Sequence, residues 1–198
     1  METSVSQAQL ILASGSPRRR ELLRYFGIPF AVIPSGVEEN ADGTGLTRVA
    51  ALARLKGRDV FNQFPALPVL AADTLVCLDD LVLGKPSDAA DAHRMLRLLA
   101  GRWHSVHTGV CLLLPGGAVH ERVETTRVRF RPLTDTEIDR YVRTGEPLDK
   151  AGAYAVQEIG GIFVERIEGS PSNVIGLPLT AVASLFNIAG LVPADGPG

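Results

Sequence analysis

The sequence predicts a mixed α/β fold, with one sheet of parallel and antiparallel strands and helices flanking it. Short apolar runs typical of buried strands alternate along the chain with segments of helical periodicity. Two longer strand-like runs, Val106–Leu114 and Val119–Arg131, are joined at Gly116-Gly117 and are expected to pair antiparallel. With 198 residues, 45% of them hydrophobic, the chain can bury the core of a single domain. We expect two lobes around a central cleft.

The first elements are predicted to be a strand, a tight loop and the start of a helix. Leu10–Ala13 is an apolar run, and Ser16 can cap a helix whose first residue is Pro17, because proline there loses no hydrogen bond. Helix-start N–H groups and the guanidinium groups of Arg18–Arg20 would then converge on one place. We interpret this junction as a phosphate site. A solvated basic first turn is the alternative.

The following elements are predicted from periodicity and from turn residues. They are a strand Phe30–Ile33, a polar loop from Pro34 to Gly45 with Glu38 and Glu39, a helix Leu46–Phe61, a strand Val69–Asp73, a hairpin Leu75–Val82 around Asp79-Asp80, and a helix Asp88–Leu99 capped by Ser87.

The last third begins with Thr134–Glu137, a capping box that opens a helix ending at Gly145. A glycine-rich stretch with one apolar piece, a strand and a final helix follow, at Asp149–Ile162, Phe163–Ile167 and Leu179–Ala189. Residues 1–9 are predicted to be a flexible N-terminus, 10–191 a single catalytic domain and 192–198 a flexible tail.

Several polar residues stand where chemistry is expected. Asp73 leaves an apolar strand, a position typical of a general base or a metal ligand, although an Asp that caps a turn is the alternative. Glu38 and Glu39 offer carboxylates for Mg²⁺ together with Asp73, or are simply solvated. The chain has only three lysines, Lys56, Lys85 and Lys150. Where arginine dominates, the remaining lysines are candidates for point charges on phosphate.

Composition excludes several classes of function. A net charge of −2 leaves no basic excess for nucleic acid or for an anionic membrane surface. Cys77 and Cys111 fit neither metal spacing nor a disulfide framework, and no leader or membrane span is found, so we expect a cytoplasmic protein. P-loop, dinucleotide-binding, serine-hydrolase and zinc-protease motifs are all missing from the sequence.

Five motifs together resemble the Maf family of nucleoside triphosphate pyrophosphatases. They are Ser14-Gly15-Ser16-Pro17-Arg18-Arg19, Ala72-Asp73-Thr74, Gly84-Lys85-Pro86, the block Gly145-Glu146-Pro147-Leu148-Asp149-Lys150-Ala151-Gly152-Ala153-Tyr154, and Asn173-Val174-Ile175-Gly176-Leu177-Pro178. The resemblance runs from about Leu10 to Ala189 with the motifs in family order. It implies a fold of the Maf and inosine triphosphatase type.

The resemblance implies hydrolysis of dTTP and UTP to the monophosphate and pyrophosphate, with Mg²⁺ or Mn²⁺ as cofactor. It places Asp73, Lys85 and Lys56 in catalysis and Glu38 with Asp73 at the metal. It places substrate binding and specificity at a further set: Ser14, Ser16, Arg18, Arg19, Thr74 and Gln157. Glu158 departs from the family, which often has glycine or alanine there, and so puts the fine base preference in question.

Two other functions stay open at this stage. One is the same reaction on 7-methyl-GTP, the substrate of another branch of the family. The other is a nucleotide-binding regulator of cell division without turnover. The expected partner is a nucleoside triphosphate, with no nucleic acid and no membrane, and a homodimer is left open.

Overall fold

Strands of both orientations form one sheet in the part of the chain that the computed structural model describes, residues 1–38 and 43–191. There, seven strands run in the order β2-β1-β3-β5-β6-β7, with β4 paired to β3. They are β1 (Leu10–Leu12), β2 (Phe30–Val32), β3 (Val69–Leu78), β4 (Leu81–Leu83), β5 (Trp103–Leu113), β6 (Val119–Phe130) and β7 (Val164–Glu168). The α-helices are α1 (Pro17–Arg24), α2 (Gly45–Gln63), α3 (Ala89–Leu99), α4 (Asp135–Val142), α5 (Pro171–Ile175) and α6 (Leu179–Ala189).

Strand pairing confirms the mixed sheet. β1 pairs parallel with β2 and with β3, whereas β4 pairs antiparallel with β3 and β7 pairs antiparallel with β6. The predicted hairpin at Asp79-Asp80 joins β3 to β4, and Asp79 adopts φ 53° there. Aspartate tolerates this left-handed conformation better than most residues, which fits its place in the turn.

β3 corrects one prediction. The strand does not end at Asp73 but continues to Leu78, so Asp73 and Thr74 lie within it. The polar pair interrupts an apolar run and therefore resembles a strand end. The backbone nevertheless stays extended, because the residues that follow are buried and pair with β4. β1 pairs with β3 only as far as Leu70, so β3 runs on past the end of β1.

Local signals locate two helix starts correctly. Ser16 is the N-cap of α1 with Pro17 as its first residue, and Thr134 and Glu137 form the predicted capping box of α4. At α3 the predicted cap is wrong by one residue. Asp88 is the N-cap, because its Oδ1 accepts the Asp91 N–H at 2.8 Å.

The segment between α4 and α6 contains more structure than the sequence predicted. Three short 3-10 helices occur there, at Glu146–Asp149, Ala151–Ala153 and Ile159–Phe163, and α5 follows β7. Such short turns lack the repeated apolar spacing that marks a longer helix, so periodicity does not find them. α6 has the bounds predicted for the final helix, Leu179–Ala189.

The chain divides into two compact units. The first comprises Met1–Asp73, Thr108–Glu124 and the chain from Gly176, and the second comprises Thr74–His107 and Thr125–Ile175. The first unit has a core of β1 and β3 residues with Val60 of α2. The second unit has a core rich in aromatic side chains, including Phe130, Tyr154 and Phe163.

The N-terminal residues make specific contacts in the first unit. The amino group of Met1 donates to the Ile28 carbonyl at 3.1 Å, and the backbone of Glu2 forms an isolated parallel β-bridge with Phe30. Val5–Gln7 is a 3-10 helix. Residues 192–198, predicted to be a flexible tail, lie outside the described part of the chain. Within the described residues, no helix is long and apolar enough to cross a membrane.

Candidate active site

The loop between β1 and α1 is held by its own serines. The Ser14 Oγ accepts the Ser16 N–H at 3.2 Å and an Nη1–H of Arg19 at 3.3 Å. The Ser16 Oγ accepts the Arg19 N–H at 3.4 Å. Both hydroxyls therefore organise the loop, and Ser14 is buried while it does so. This leaves the backbone at the start of α1 in a fixed conformation.

The arginines of α1 have different surroundings. Arg19 donates from Nε to the Gly176 carbonyl at 2.8 Å, which ties the first motif to the last one. The Arg20 Nη1 lies 3.6 Å from the Glu2 carboxylate. The expected convergence of all three guanidinium groups on one anion therefore does not include Arg20. Arg18, at the second position of α1, is half-buried.

A buried ion pair links α2 to β3. The Lys56 Nζ donates to the Asp73 Oδ1 at 2.5 Å, and the two side chains are only 10% and 7% exposed. The sequence nominated both residues separately, and the structure brings them together. Because β1 and β3 are parallel and the Ala13 N–H donates to the Leu70 carbonyl, the serine loop leaves β1 at the edge where β3 continues to Asp73.

Two glycines let α2 lie close enough to the sheet for this pair. A Cβ at Gly109 of β5 would lie 2.3 Å from the Val49 carbonyl oxygen, so only glycine fits there. A Cβ at Gly57, next to Lys56, would lie 2.5 Å from Leu113 Cδ1. The position of Lys56 therefore depends on the close packing of α2 against the sheet at these two glycines.

The remaining nominated residues belong to both units. Thr74 is half-buried in β3, directly after Asp73, and belongs to the second unit. Lys85 is exposed in the segment after β4. Gln157 is exposed in a turn in which the Glu158 N–H reaches the Ala155 carbonyl at 3.5 Å. In the first unit, Glu38 is exposed after β2.

The block Gly145–Tyr154 contains Glu146, a candidate that sequence reasoning missed, and Lys150, one of the three lysines that it nominated for phosphate. Glu146 accepts the N–H groups of Ile159 and Gly160, at 3.1 and 3.0 Å. Lys150, with a side chain only 6% exposed, lies 2.7 Å from the Asp149 carboxylate and 3.2 Å from the Glu158 carboxylate. Lys150 therefore pairs with carboxylates of its own unit. The signal for Glu146 was the block itself, which carried the resemblance.

Gly152 connects the same block to the segment that carries Lys85. Its N–H donates to the Gly84 carbonyl at 3.0 Å, one residue before Lys85. Gly152 adopts φ +68°, and a Cβ there would lie 2.9 Å from three side-chain atoms of Val76. Backbone conformation and space both require glycine at this position.

Burial sets the protonation of several groups of the second unit. It lowers the pKa of His104 to about 4, and the ring lies with its Nε2 2.8 Å from the Tyr154 hydroxyl. Burial, with a further contribution from Glu146, raises the pKa of Tyr141. In the first unit, burial raises the pKa of the Cys111 thiol to about 12, which keeps this free cysteine protonated and unreactive.

The donor set for a metal ion is small. Within residues 1–38 and 43–191, no three His, Cys, Asp or Glu side chains are grouped to hold a metal. Glu39 lies outside the described residues. Mg²⁺ that arrives with a triphosphate needs only one or two protein carboxylates, because phosphate oxygens and water complete its octahedron. Asp73 and Glu38, both carboxylates of the first unit, fit such an ion chemically.

The mixed sheet, the capped helix start after β1 and the buried carboxylate–ammonium pair define an α/β protein suited to phosphate groups. The Maf family model, described as Maf-like protein, matches residues 9–189, and the chain belongs to this family. The predicted family is thereby confirmed.

Similar proteins agree with this assignment. A dTTP/UTP pyrophosphatase of Thermococcus gammatolerans is 49% identical over 176 residues, covering 89% of this chain and 94% of its own length. A dTTP/UTP pyrophosphatase of an Anaeromyxobacter species is 51% identical over 197 residues, covering 96% and 94%. The structure of a HAM1 protein from Coxiella burnetii matches with a TM-score of 0.52 and 18% identity over 91% of this chain and 98% of that one, a likeness of fold.

Proposed function

We propose that this protein is a nucleoside triphosphate pyrophosphatase that hydrolyses dTTP and UTP to the monophosphate and pyrophosphate. The observation that carries the proposal is the buried Lys56–Asp73 pair, at the edge of the sheet where the serine loop leaves β1. Relatives about half identical in sequence are named for this activity, which supports the same reaction here.

Asp73 is the residue that orients and deprotonates the attacking water in this mechanism. A carboxylate does so only while it is ionised, and the Lys56 ammonium stabilises the ionised form. Water attacks the α-phosphorus, the bond to the bridging oxygen breaks, and pyrophosphate leaves with the electron pair. The position of Asp73 within a strand keeps its side chain in place during the reaction.

Positive charge must stabilise the oxygens on which negative charge builds up. Arg18 at the start of α1 and Lys85 after β4 are the candidates, since guanidinium and ammonium groups both bind phosphate. A divalent cation held by Asp73 and Glu38 would supply further charge neutralisation on the phosphates. Ser14, Ser16 and Arg19 contribute by fixing the loop conformation.

Base selection is assigned to Thr74 and Gln157. A hydroxyl and an amide can each donate and accept hydrogen bonds, which suits the alternating edge of thymine or uracil. A wrong base leaves such groups unpaired at a cost of about 1–3 kcal/mol each. Thr74, Gln157 and Lys85 all belong to the second unit.

A screen of nucleoside triphosphates with Mg²⁺ or Mn²⁺, measuring pyrophosphate, orthophosphate and monophosphate separately, tests the proposal. We expect dTTP and UTP to exceed ATP and GTP in kcat/KM by at least about tenfold. Faster turnover of 7-methyl-GTP would reassign the base. Tight binding of UTP without any turnover would favour the regulator instead.

A cytoplasmic location completes the proposal, with a nucleoside triphosphate as partner and no nucleic acid or membrane. The net charge of −2 supports the choice of partner, and two buried cysteines that form no disulfide fit a reducing compartment. Gel filtration with light scattering decides whether a homodimer forms, and retention on a nucleic-acid column at physiological salt would contradict the assigned partner.

A further inference from the structure

The turn that carries Gln157 is fixed from one side by a single carboxylate. Glu146 Oε2 accepts the Ile159 N–H at 3.1 Å, and Oε1 accepts the Gly160 N–H at 3.0 Å. Oε1 also accepts the Tyr141 hydroxyl at 2.8 Å. An ionised carboxylate is acceptor-only and can take all three donors, which no amide or hydroxyl does.

A second contact fixes the same turn through Glu158. The Glu158 carboxylate lies 3.2 Å from the Nζ of buried Lys150, whose ammonium also donates to the Glu146 carbonyl at 2.7 Å. The exposed acidic side chain beside Gln157 is thus paired within the second unit, with an ammonium that it shares with Asp149.

Space around the turn is also tightly defined. A Cβ at Gly160 would lie 2.6 Å from the Tyr141 hydroxyl oxygen, so the backbone approaches the Tyr141–Glu146 pair as closely as glycine allows. Residues 158–160 are therefore held by charge, by hydrogen bonds and by packing. Gln157 directly precedes this segment, and its own side chain is exposed.

We propose that Glu146 is a positioning residue for base selection: by binding the backbone of Ile159 and Gly160, its carboxylate fixes the turn from which Gln157 reads the base. The inference rests on the proposed function for the role of Gln157. The clamp itself, defined as Glu146 with the two N–H groups, is a property of the second unit alone. The proposal assigns a role in base selection to the Gly145–Tyr154 block through Glu146.

The variant Glu146→Gln tests the inference, because it keeps the shape and replaces one acceptor oxygen by a donor that faces an N–H. Glu168→Gln is the matched control: it makes the same change in β7, where the carboxylate pairs with Arg127 and Arg166. UTP and CTP are compared as substrates, since they differ on the base edge that an amide reads.

We expect Glu146→Gln to lower the UTP-to-CTP ratio of kcat/KM by about fivefold or more. A change of this size corresponds to the net free energy of roughly one hydrogen bond. Gln157→Ala should lower the ratio similarly, and the double variant should fall no further than Gln157→Ala alone. A merely structural loss would instead slow both substrates alike and add to Gln157→Ala. Tyr141→Phe, which removes one donor to Glu146, should shift the ratio less in the same direction if Glu146→Gln does not fold.

Amide hydrogen exchange of the protein without substrate gives a readout independent of catalysis. Exchange in a peptide covering residues 157–161 should accelerate in Glu146→Gln and stay unchanged in Glu168→Gln. Unchanged exchange overturns the clamp. Faster exchange with a normal UTP-to-CTP ratio overturns the specificity role and leaves the proposed function standing. Wild-type protein that makes no UMP and pyrophosphate overturns the proposed function and the specificity role together, whereas the exchange result still decides the clamp.

Discussion

Lys56 and Asp73 form a buried ion pair in which the lysine Nζ lies 2.5 Å from the carboxylate Oδ1. Removing one partner of such a pair costs about 3–5 kcal/mol, because a charge then remains in a poorly solvated place. Replacing both partners by neutral groups is often nearly free of cost. Stability and catalysis therefore respond differently to changes at these two positions, and this difference can be measured.

The change Asp73→Asn should lower kcat by at least about 100-fold, since it keeps the shape and removes the proton acceptor. It should also lower the free energy of unfolding, because the Lys56 ammonium loses the carboxylate that neutralises it. Steady-state kinetics and urea unfolding measure the two effects separately.

The double variant Lys56→Met/Asp73→Asn is the control. It should recover much of the lost stability and none of the lost turnover. Near-normal turnover in folded Asp73→Asn would remove this carboxylate from the chemistry.

Arg18 and Arg19 should differ although they are neighbours. The two measurements are kcat/KM for UTP and the thermal midpoint of unfolding. Arg18→Ala should lower kcat/KM by at least about tenfold, since a charge-assisted contact to phosphate is lost. Arg19→Ala should lower the midpoint as well, because Arg19 bonds the Gly176 carbonyl and Ser14. Equal effects of the two changes on both measurements would contradict these separate roles.

Gly152→Ala should destabilise the protein by about 2–4 kcal/mol, because the new Cβ meets Val76 at 2.9 Å and the backbone has φ +68°. Gly116→Ala is the matched control: its φ is +89°, but nothing lies within 4 Å of the added atom. Only the backbone term should then appear, about 1 kcal/mol. Urea unfolding of both variants checks the difference, and equal losses would mean that the space at Val76 is not limiting.

Local rules predicted the elements whose signals lie within a few residues. Ser16 and Pro17 start α1, Thr134 and Glu137 start α4, and the spacing of apolar residues predicts α2 to within two residues at each end. Each depends on side chains that bond or pack within one or two helical turns. Sequence alone is sufficient for such features.

Long-range contacts could not be predicted in this way. Arg19 meets Gly176 across 157 positions, and Glu146 meets Gly160 across 14. The continuation of β3 through Asp73 depends on pairing with β4. Family motifs nominated Lys56 and Asp73, but only the tertiary fold shows that they form a pair.

The stability of the second unit should depend on pH through His104. Its pKa in the folded state is about 4, below the ordinary 6.5, so the unfolded chain binds more protons between these values. His104 therefore contributes full stability above about pH 6.5, and this contribution is lost as the pH falls towards 4. The loss should reach about 3 kcal/mol.

Comparison with His104→Phe isolates this group from the carboxylates, which in the unfolded chain become protonated at the lower end of this pH range. The free energy of unfolding of the wild type should fall relative to the variant between pH 6.5 and 4. A constant difference across that range would mean that His104 is not buried in its neutral form.

The most direct test of the central claim is to determine which product contains the oxygen atom supplied by water. UTP is hydrolysed with Mg²⁺ in ¹⁸O-labelled water, and the products are separated and weighed by mass spectrometry. Attack at the α-phosphorus puts one ¹⁸O into UMP and leaves pyrophosphate unlabelled, with the two products formed in equal amounts. Label in pyrophosphate, or release of orthophosphate with UDP, would contradict the mechanism built on Asp73.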